Sequence, residues 1–203
     1  MEKREIYEQL ETAAHRAYAR GIQTGNGGNL SARTDEGMIV KASGGSLADC
    51  SRDGSGFVET TLEGRAWEKE KLAGKPTREV FLHGLLYRIC PDAGGIMHCH
   101  SPWSIVWSYS TRALPALTLH MQLKAGCDIP VAEIPGAAVC PEDEWVIRKL
   151  FARNPKLPAF ILAGHGVVAV GKNVLEAEHM AELVEETAQI AVLRGLCEIA
   201  GVF

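Results

Sequence analysis

Residues 159–170 read AFILAGHGVVAV, in which two apolar runs enclose a Gly-His-Gly triplet. Short apolar runs on both sides of a glycine turn predict two strands, at residues 159–163 and 167–170. Gly164 and Gly166 allow the backbone to turn freely and a neighbouring segment to approach closely. His165 is therefore predicted at a break between two strands.

A long helix is predicted directly after these strands. Asn173 followed by Glu176 resembles a capping box, with Asn in place of Ser or Thr. Apolar residues then recur at steps of three and four, as on one face of a helix, out to about residue 195. The same spacing predicts a first helix over residues 5–20, which ends at Gly21.

The segments between these two helices alternate in type. Strand-like stretches occur at residues 30–33, 38–40, 57–61, 96–100 and 129–134, and helices are predicted at residues 76–88, from residue 102 and at 142–151. Interleaved helices and short strands indicate a layered α/β fold. Because neither an internal repeat nor a linker divides the chain, residues 1–203 are predicted to form a single domain.

The composition argues against several classes of protein. Of the 203 residues, 46% are hydrophobic and 23% are charged, which is typical of a globular domain. The net charge of −4 comes without a basic block, so nucleic acid is not expected as a partner. A charged N-terminal segment and the lack of an apolar run of about 18 residues predict a cytoplasmic protein without a membrane span. Six cysteines without a C-x-x-C pair indicate neither a disulfide framework nor a cysteine-type zinc site.

Three of the seven histidines stand apart from the others. His98 and His100 flank Cys99 on a predicted strand, where side chains two residues apart share a face. Together with His165 they would provide three imidazoles, and three neutral imidazoles with an open fourth position are typical of a catalytic zinc site. Spacing alone leaves an alternative, because two half-buried strand histidines produce the same H-x-H pattern.

A carboxylate and several turns are further candidates. Glu79 is predicted in the first turn of a helix, where it could be a general base beside a metal or simply complement the helix dipole. Three stretches, at residues 26–29, 43–45 and 77–78, combine free backbone N–H groups with short polar side chains that could hold phosphate, although such a stretch can be only a turn. None of them matches a Walker loop or G-x-G-x-x-G, which argues against nucleotide binding.

The order of these motifs resembles the class II aldolase/adducin family. The chain has GNGGNLS at residues 25–31, Ser-Gly at 43–44, KPTRE at 75–79, HCH at 98–100 and GHG at 164–166. The likeness extends over residues 5–194. It implies a three-layer α/β/α fold with a central, mainly antiparallel sheet. It also implies a homotetramer with the active site near a subunit interface.

By this resemblance, His98, His100 and His165 would bind a divalent metal ion, for which zinc is the first choice and manganese, cobalt or ferrous iron are alternatives. Glu79 would be the acid/base residue. A substrate phosphate would lie against a set of loop residues, namely Asn26, Gly28, Asn29, Ser43, Gly44, Thr77 and Arg78. The adducin-like branch, a non-catalytic binding module, lacks the metal set, so the three histidines argue against it.

Two departures from the family pattern concern the chemistry. Arg78 stands where fuculose-phosphate aldolases have a serine, and a guanidinium there could bind an anion through two hydrogen bonds. The tyrosine acid of that branch is missing, which leaves His120 as a candidate proton donor or as an interface histidine.

The reaction that the resemblance implies first is retro-aldol cleavage of a small phosphorylated keto sugar, through an enediolate that the metal stabilises. Decarboxylation of a 3-oxo-tetronate phosphate and dehydration of methylthioribulose phosphate are alternatives on the same scaffold. Epimerases of the family have aspartate in place of Glu79, so they are disfavoured.

Overall fold

The computed structural model of the chain describes residues 2–67 and 74–202. Within these ranges the helices are α1 (Lys3–Ala19), α2 (Val80–Ile89), α3 (Pro102–Ser108), α4 (Leu119–Lys124), α5 (Glu144–Arg153) and α6 (Val174–Ile199). The strands are β1 (Asn29–Arg33), β2 (Met38–Lys41), β3 (Phe57–Thr60), β4 (Gly95–Cys99), β5 (Val131–Ala132), β6 (Ala159–Leu162) and β7 (Gly166–Gly171). Among the described helices, none is long and apolar enough to cross a membrane.

The strands form one sheet in the order β3-β2-β1-β4-β7-β6-β5. Every neighbouring pair is antiparallel except β5 with β6, which confirms the predicted mainly antiparallel sheet. Strand β4 lies in the middle, where His98 is opposite Asn29 of β1 and Val168 of β7. The first half of the predicted metal site is therefore at the centre of the sheet.

Side chains alternate between the two faces of this sheet, as the two-residue period of a strand requires. In β4, Met97 and Cys99 pack with α1 and α6, whereas Ile96 packs on the opposite face with α2 and α5. The same alternation continues in β6 and β7. Helices cover both faces of the sheet, which confirms the three-layer α/β/α architecture.

The predicted helix ends agree with the capping chemistry. The side chain of Asn173 accepts a hydrogen bond of 2.9 Å from the backbone N–H of Glu176, as an N-cap residue does. At the end of α1, Gly21 has φ +73°, the left-handed conformation that glycine adopts most readily. Helix α6 is longer than predicted and ends at Ile199.

Four predictions of local structure need correction. The strand predicted at residues 129–134 is only Val131–Ala132, because Pro130 cannot donate to a ladder and Ile129 pairs instead with Leu114. Strand β4 ends at Cys99, so His100 lies just beyond it. Residues 119–124, for which the sequence predicted no helix, form α4.

The fourth correction concerns the helix predicted from residue 76. The N–H of Thr77 donates to the carbonyl of Lys41 at 3.0 Å, and Pro76 forms an isolated bridge with Ala42. These contacts hold residues 76–77 against the end of β2, so α2 begins only at Val80. Glu79 is consequently the N-cap residue rather than part of the first turn, and its side chain forms no capping hydrogen bond.

Candidate active site

Four potential metal ligands converge where β4 ends. Glu79, His98, His100 and His165 each present one ligand atom, and these atoms all lie within 4.8 Å of one another. The imidazole centroids are 4.7 Å to 5.0 Å apart. The structure therefore brings together all three predicted ligands and the predicted acid/base residue.

The hydrogen bonds of His98 fix the atom that it can offer to a metal. Its Nδ1 lies 2.9 Å from the carbonyl oxygen of Val167, so Nδ1 carries the proton and donates it. Its Nε2 then has a free lone pair and faces the other three residues. A histidine held in this way by a backbone carbonyl is the common form of a metal ligand.

Nε2 of His98 and Oε2 of Glu79 are 3.1 Å apart. This contact cannot be an ordinary hydrogen bond, because both atoms are acceptors when His98 is neutral and Glu79 is ionised. Nε2 of His98 and Oε1 of Glu79 are moreover buried without a hydrogen-bond partner. A cation between the four groups would satisfy these acceptors, so the donor set fits a divalent metal ion.

Backbone geometry places His165 against this pair. Gly164 and Gly166 have φ values of +66° and +143°, in the region that favours glycine. A side chain at position 166 would place its Cβ atom 2.1 Å from the carbonyl oxygen of Cys99. Only glycine allows the turn between β6 and β7 to lie so close to the end of β4, and this approach brings His165 next to His100.

Burial determines the charge of the cluster. Desolvation lowers the pKa of His98 to about 4 and that of His165 to about 4, and it also lowers the pKa of His100. Burial raises the pKa of Glu79, an effect that the hydrogen bond from Asn29 and the nearby histidines partly offset. The imidazoles are therefore neutral at physiological pH, which is the state that binds a metal.

A cleft of about 380 Å³ opens onto three of the four candidate ligands, and His98 lies buried behind them. Its walls include every residue that the resemblance assigns to a substrate phosphate: Asn26, Gly28, Asn29, Ser43, Gly44, Thr77 and Arg78. Glu79, His100 and His165 line the same cleft. The structure thus joins the candidate anion loops and the candidate metal site in one cavity.

Lys41 is a cleft residue that the sequence analysis missed. It is 2% exposed, and its Nζ donates to the carbonyl of Ala42 at 3.2 Å. No carboxylate of the described residues lies within ion-pair distance of it. Desolvation lowers its pKa. A lysine at the end of a strand gives no signal in the sequence that would separate it from a surface lysine.

Gln23 is a second residue that the sequence analysis missed. Its Oε1 accepts a hydrogen bond of 2.7 Å from the N–H of His100, and its Nε2 donates to the carbonyl of Thr24. The glycine at position 28, with φ +63°, lies so close that a Cβ there would be 2.5 Å from Gln23. Gln23 therefore ties the glycine-rich loop to the strand end that carries the metal ligands.

His120 lies apart from this cleft. It is an exposed residue of α4 and lines a separate groove of about 620 Å³ together with residues of α1 and α6, among them Arg16 and His179. Within the described part of this chain, it does not join the metal ligands.

Comparisons with known proteins agree with this geometry. A family model described as Class II Aldolase and Adducin N-terminal domain matches residues 8–192. A 3-oxo-tetronate 4-phosphate decarboxylase from Escherichia coli O6:H1 is 30% identical over 196 residues, covering 94% of this chain and 87% of that protein. A 5-methylthioribulose-1-phosphate/5-deoxyribulose-1-phosphate aldolase from Rhodospirillum rubrum is 29% identical over 180 residues, covering 89% of this chain and 77% of that protein.

Among solved structures, the crystal structure of L-fuculose-1-phosphate aldolase from Thermus thermophilus superposes with a TM-score of 0.82. It is 25% identical, and the match covers 96% of each chain. The likeness therefore extends over the whole sheet and its covering helices.

Proposed function

Because this chain belongs to the class II aldolase and adducin family, whose matched members are aldolases and decarboxylases, we propose that it cleaves a C–C bond next to the carbonyl group of a small phosphorylated keto compound. Lyase activity fits the site. The observation that carries the proposal is the convergence of Glu79 and three neutral histidines beside a cleft, of which Glu79, His100 and His165 line the wall together with the candidate anion loops.

The three histidines would hold a divalent cation, for which we propose zinc because imidazole nitrogen suits it; manganese, cobalt and ferrous iron are the alternatives. The bound cation would supply Lewis-acid stabilisation of the negative charge that develops on the substrate carbonyl oxygen. Tests of metal content and of activity with each metal would identify it.

The anionic end of the substrate would lie against Lys41, Arg78, the hydroxyl of Ser43 and the backbone N–H of Gly44, since the N–H of Ser43 already donates to the carbonyl of Lys75. Lys41 supports this assignment because it is a buried ammonium group without a carboxylate partner among the described residues. A bound phosphate or carboxylate would supply the missing negative charge. Arg78, which is exposed at the rim of the cleft, could form two hydrogen bonds with the same anion.

Glu79 would move the proton. In retro-aldol cleavage, a hydroxyl group of the substrate loses its proton, the C–C bond breaks, and the electron pair passes into the carbonyl group of the retained fragment. A separate base would take the hydroxyl proton, and Glu79, protonated before the bond breaks, would give its proton to the carbon atom that lost its partner and regain one from solvent. Its buried position and raised pKa suit an acid/base residue.

Decarboxylation of a 3-oxo acid phosphate is the second candidate. That reaction leaves the same electron pair on the same carbon, but it requires no base for a substrate hydroxyl. Besides Glu79 and the histidines, the ionisable residues among the described lining of the cleft are the cations Lys41 and Arg78. Because a guanidinium does not lose its proton, a retro-aldol reaction would need Lys41 as the base, or a group from outside the cleft such as His120 of another copy. Methylthioribulose phosphate dehydration is a third reaction on this scaffold.

We further propose a single-domain homotetramer, since a site completed by a second copy would supply the missing base. Exposed apolar side chains on α4 and near the end of α6, among them Leu119, Leu123 and Ile199, support association. Sedimentation velocity at micromolar concentration tests this, and a monomer would contradict it. The six free thiols fit a reducing compartment such as the cytoplasm.

The deciding experiment assays the metal-loaded protein against two substrate sets. One set contains phosphorylated ketoses, with release of an aldehyde as the signal, and the other contains phosphorylated 3-oxo acids, with release of CO₂ as the signal. Activity that is lost on chelation and restored by metal in either set supports the proposal. Inactivity of a fully metal-loaded protein toward both sets would contradict it.

A further inference from the structure

A chain of buried polar side chains extends from Glu79 into the core. Oε2 of Glu79 accepts a hydrogen bond of 2.8 Å from Nδ2 of Asn29, whose Oδ1 lies 2.5 Å from Nε2 of His83. Nδ1 of His83 lies 2.7 Å from Oγ of Ser31, which lies 2.8 Å from the hydroxyl of Tyr87. All five residues are buried.

The spacing of polar residues in β1 and α2 brings these five side chains together. Asn29 and Ser31 are two residues apart in β1, so both face α2. Glu79, His83 and Tyr87 are four residues apart and lie on one side of α2 and its N-cap. These five polar residues occupy core positions that apolar side chains would normally fill. Hydrophobic packing therefore does not explain why they are polar.

Chemistry fixes the direction of each hydrogen bond. An ionised carboxylate only accepts, so Asn29 turns its NH₂ group toward Glu79 and its oxygen toward His83. Nε2 of His83 must then carry a proton and donate it. Desolvation lowers the pKa of His83 to about 3, so the ring is neutral and its Nδ1 accepts a hydrogen bond from Ser31. Ser31 in turn accepts a hydrogen bond from Tyr87.

We propose that His83 is a positioning residue for the acid/base carboxylate. In its Nε2–H tautomer it holds the Asn29 amide so that the amide NH₂ fixes Oε2 of Glu79 and leaves Oε1 without a protein partner. This inference rests on the proposed function. Oε2 is held beside His98 and accepts from Asn29, and Oε1 has no protein partner, so Oε1 would be the oxygen that exchanges a proton with the substrate.

This role of Asn29 differs from the one that the family resemblance implies, which is contact with the substrate phosphate. Its amide oxygen and one amide hydrogen are already engaged by His83 and Glu79. The main role of Asn29 is therefore to orient the carboxylate of Glu79 rather than to bind phosphate. The opposite tautomer of His83 would reverse the amide and bring its oxygen against an ionised carboxylate, which would push Glu79 out of place.

The first test observes the tautomer directly, without an activity measurement. Nitrogen-15 NMR of histidine-labelled, zinc-loaded wild-type protein should show His83 as a neutral Nε2–H ring whose proton exchanges slowly. Comparison with His83→Gln assigns the signal. An Nδ1–H tautomer or a charged ring would overturn the proposal, even if the enzyme is active.

The second test compares His83→Leu, which removes both ring nitrogens, with His83→Gln, whose amide can still donate to Asn29. The Leu variant should lose roughly 10- to 100-fold in kcat with little change in KM and in metal content, the scale typical of partners that orient a site. The Gln variant should recover most of this loss. Equal losses in the two variants would contradict the proposal.

A double-mutant cycle separates positioning from general damage. In a Glu79→Gln background, His83→Leu should lower kcat by less than twofold further, because its effect passes through the carboxylate. If the losses in kcat from Glu79→Gln and His83→Leu multiply in the double variant, then His83 does not act through Glu79. If the Leu variant does not fold, Ser31→Ala replaces it in the cycle and should show a smaller loss of the same kind. An inactive wild type would contradict the proposed function and leave the tautomer result standing.

Discussion

Nε2 of His98 and Oε2 of Glu79 lie 3.1 Å apart in a buried site, although neither atom has a proton to donate when the histidine is neutral and the carboxylate is ionised. Val167 fixes this state, since its carbonyl accepts a hydrogen bond from Nδ1–H, the one ring N–H of a neutral His98. Two facing acceptors repel each other unless a cation lies between them. The pair therefore links the proposed acid/base residue to the proposed metal ligands in one cluster.

Glu79→Gln tests the acid/base role, because the amide keeps the shape of the side chain but cannot exchange a proton. Turnover should fall at least about 100-fold, on the order of a general acid/base contribution. The three histidines remain, so metal should be retained. The melting temperature should not fall, since the substitution removes a buried negative charge.

Glu176→Gln is the matched control, because Glu176 is likewise a glutamate at the N-terminal end of a helix but lies away from the cleft. It should leave turnover unchanged. Near-normal turnover in Glu79→Gln would transfer the acid/base role to another group.

Lys41→Met tests the anion subsite. The substitution preserves the aliphatic stem and removes the ammonium group, so a phosphorylated substrate should lose a charge-assisted hydrogen bond. That loss should raise KM roughly 10- to 100-fold. Stability should be maintained or improved, since an ammonium group without a carboxylate partner among the described residues leaves the interior.

Steady-state kinetics and thermal unfolding of the same preparations give both quantities. Lys149→Met, on α5 and outside the cleft, is the control. An unchanged KM in Lys41→Met would contradict the assignment of Lys41 to the substrate anion.

The sequence predicted which histidines come together because strand period and glycine conformation are local properties; their role as metal ligands stays a prediction. The two-residue spacing of His98 and His100 and the glycines around His165 anticipated the observed convergence. Lys41 was missed because its burial depends on the contact of residues 76–77 with β2, which local pattern does not encode.

The chain of polar residues behind Glu79 was also missed, although its spacing is visible in the sequence. Polar residues two apart in β1 and four apart along α2 each look like an ordinary exposed face. Only the tertiary packing of the two elements shows that Ser31 and His83 are buried together. The start of α2 was misplaced for a related reason, since a tertiary contact holds Thr77 out of the helix.

Glu178, a second buried carboxyl group, should make the free energy of unfolding depend on pH. Glu178 of α6 has no exposed surface and interacts with the carboxyl group of Glu182, while Nε of Arg16 lies 3.4 Å and Nε2 of His179 lies 3.7 Å from its Oε2. Burial raises its pKa from 4.5 to about 8, to which the neighbouring Glu182 also contributes. The pKa of Glu178 is higher in the folded than in the unfolded protein. Its protonated form therefore leaves the free energy of unfolding at its highest below pH 4.5, and that stability is lost as the pH rises from there through about 8.

Glu178→Gln should therefore behave like the wild type near pH 5 and be more stable near pH 9. Between these values the free energy of unfolding of the wild type should fall relative to the variant by up to about 1.4 kcal/mol per pH unit. Chemical denaturation at several pH values measures this difference. Glu186→Gln, an exposed position on the same helix, should show no such divergence, and parallel curves for Glu178→Gln would contradict the prediction.

The most direct test of the account is the metal content of the His98→Ala/His100→Ala double variant. Elemental analysis of the purified wild type should find one equivalent of a divalent transition metal per chain, which is retained through gel filtration. The double variant should contain essentially none, while His15→Ala, at an exposed position away from the site, should retain the full equivalent. A double variant that folds and keeps its full metal content would contradict the assignment of these histidines to the site.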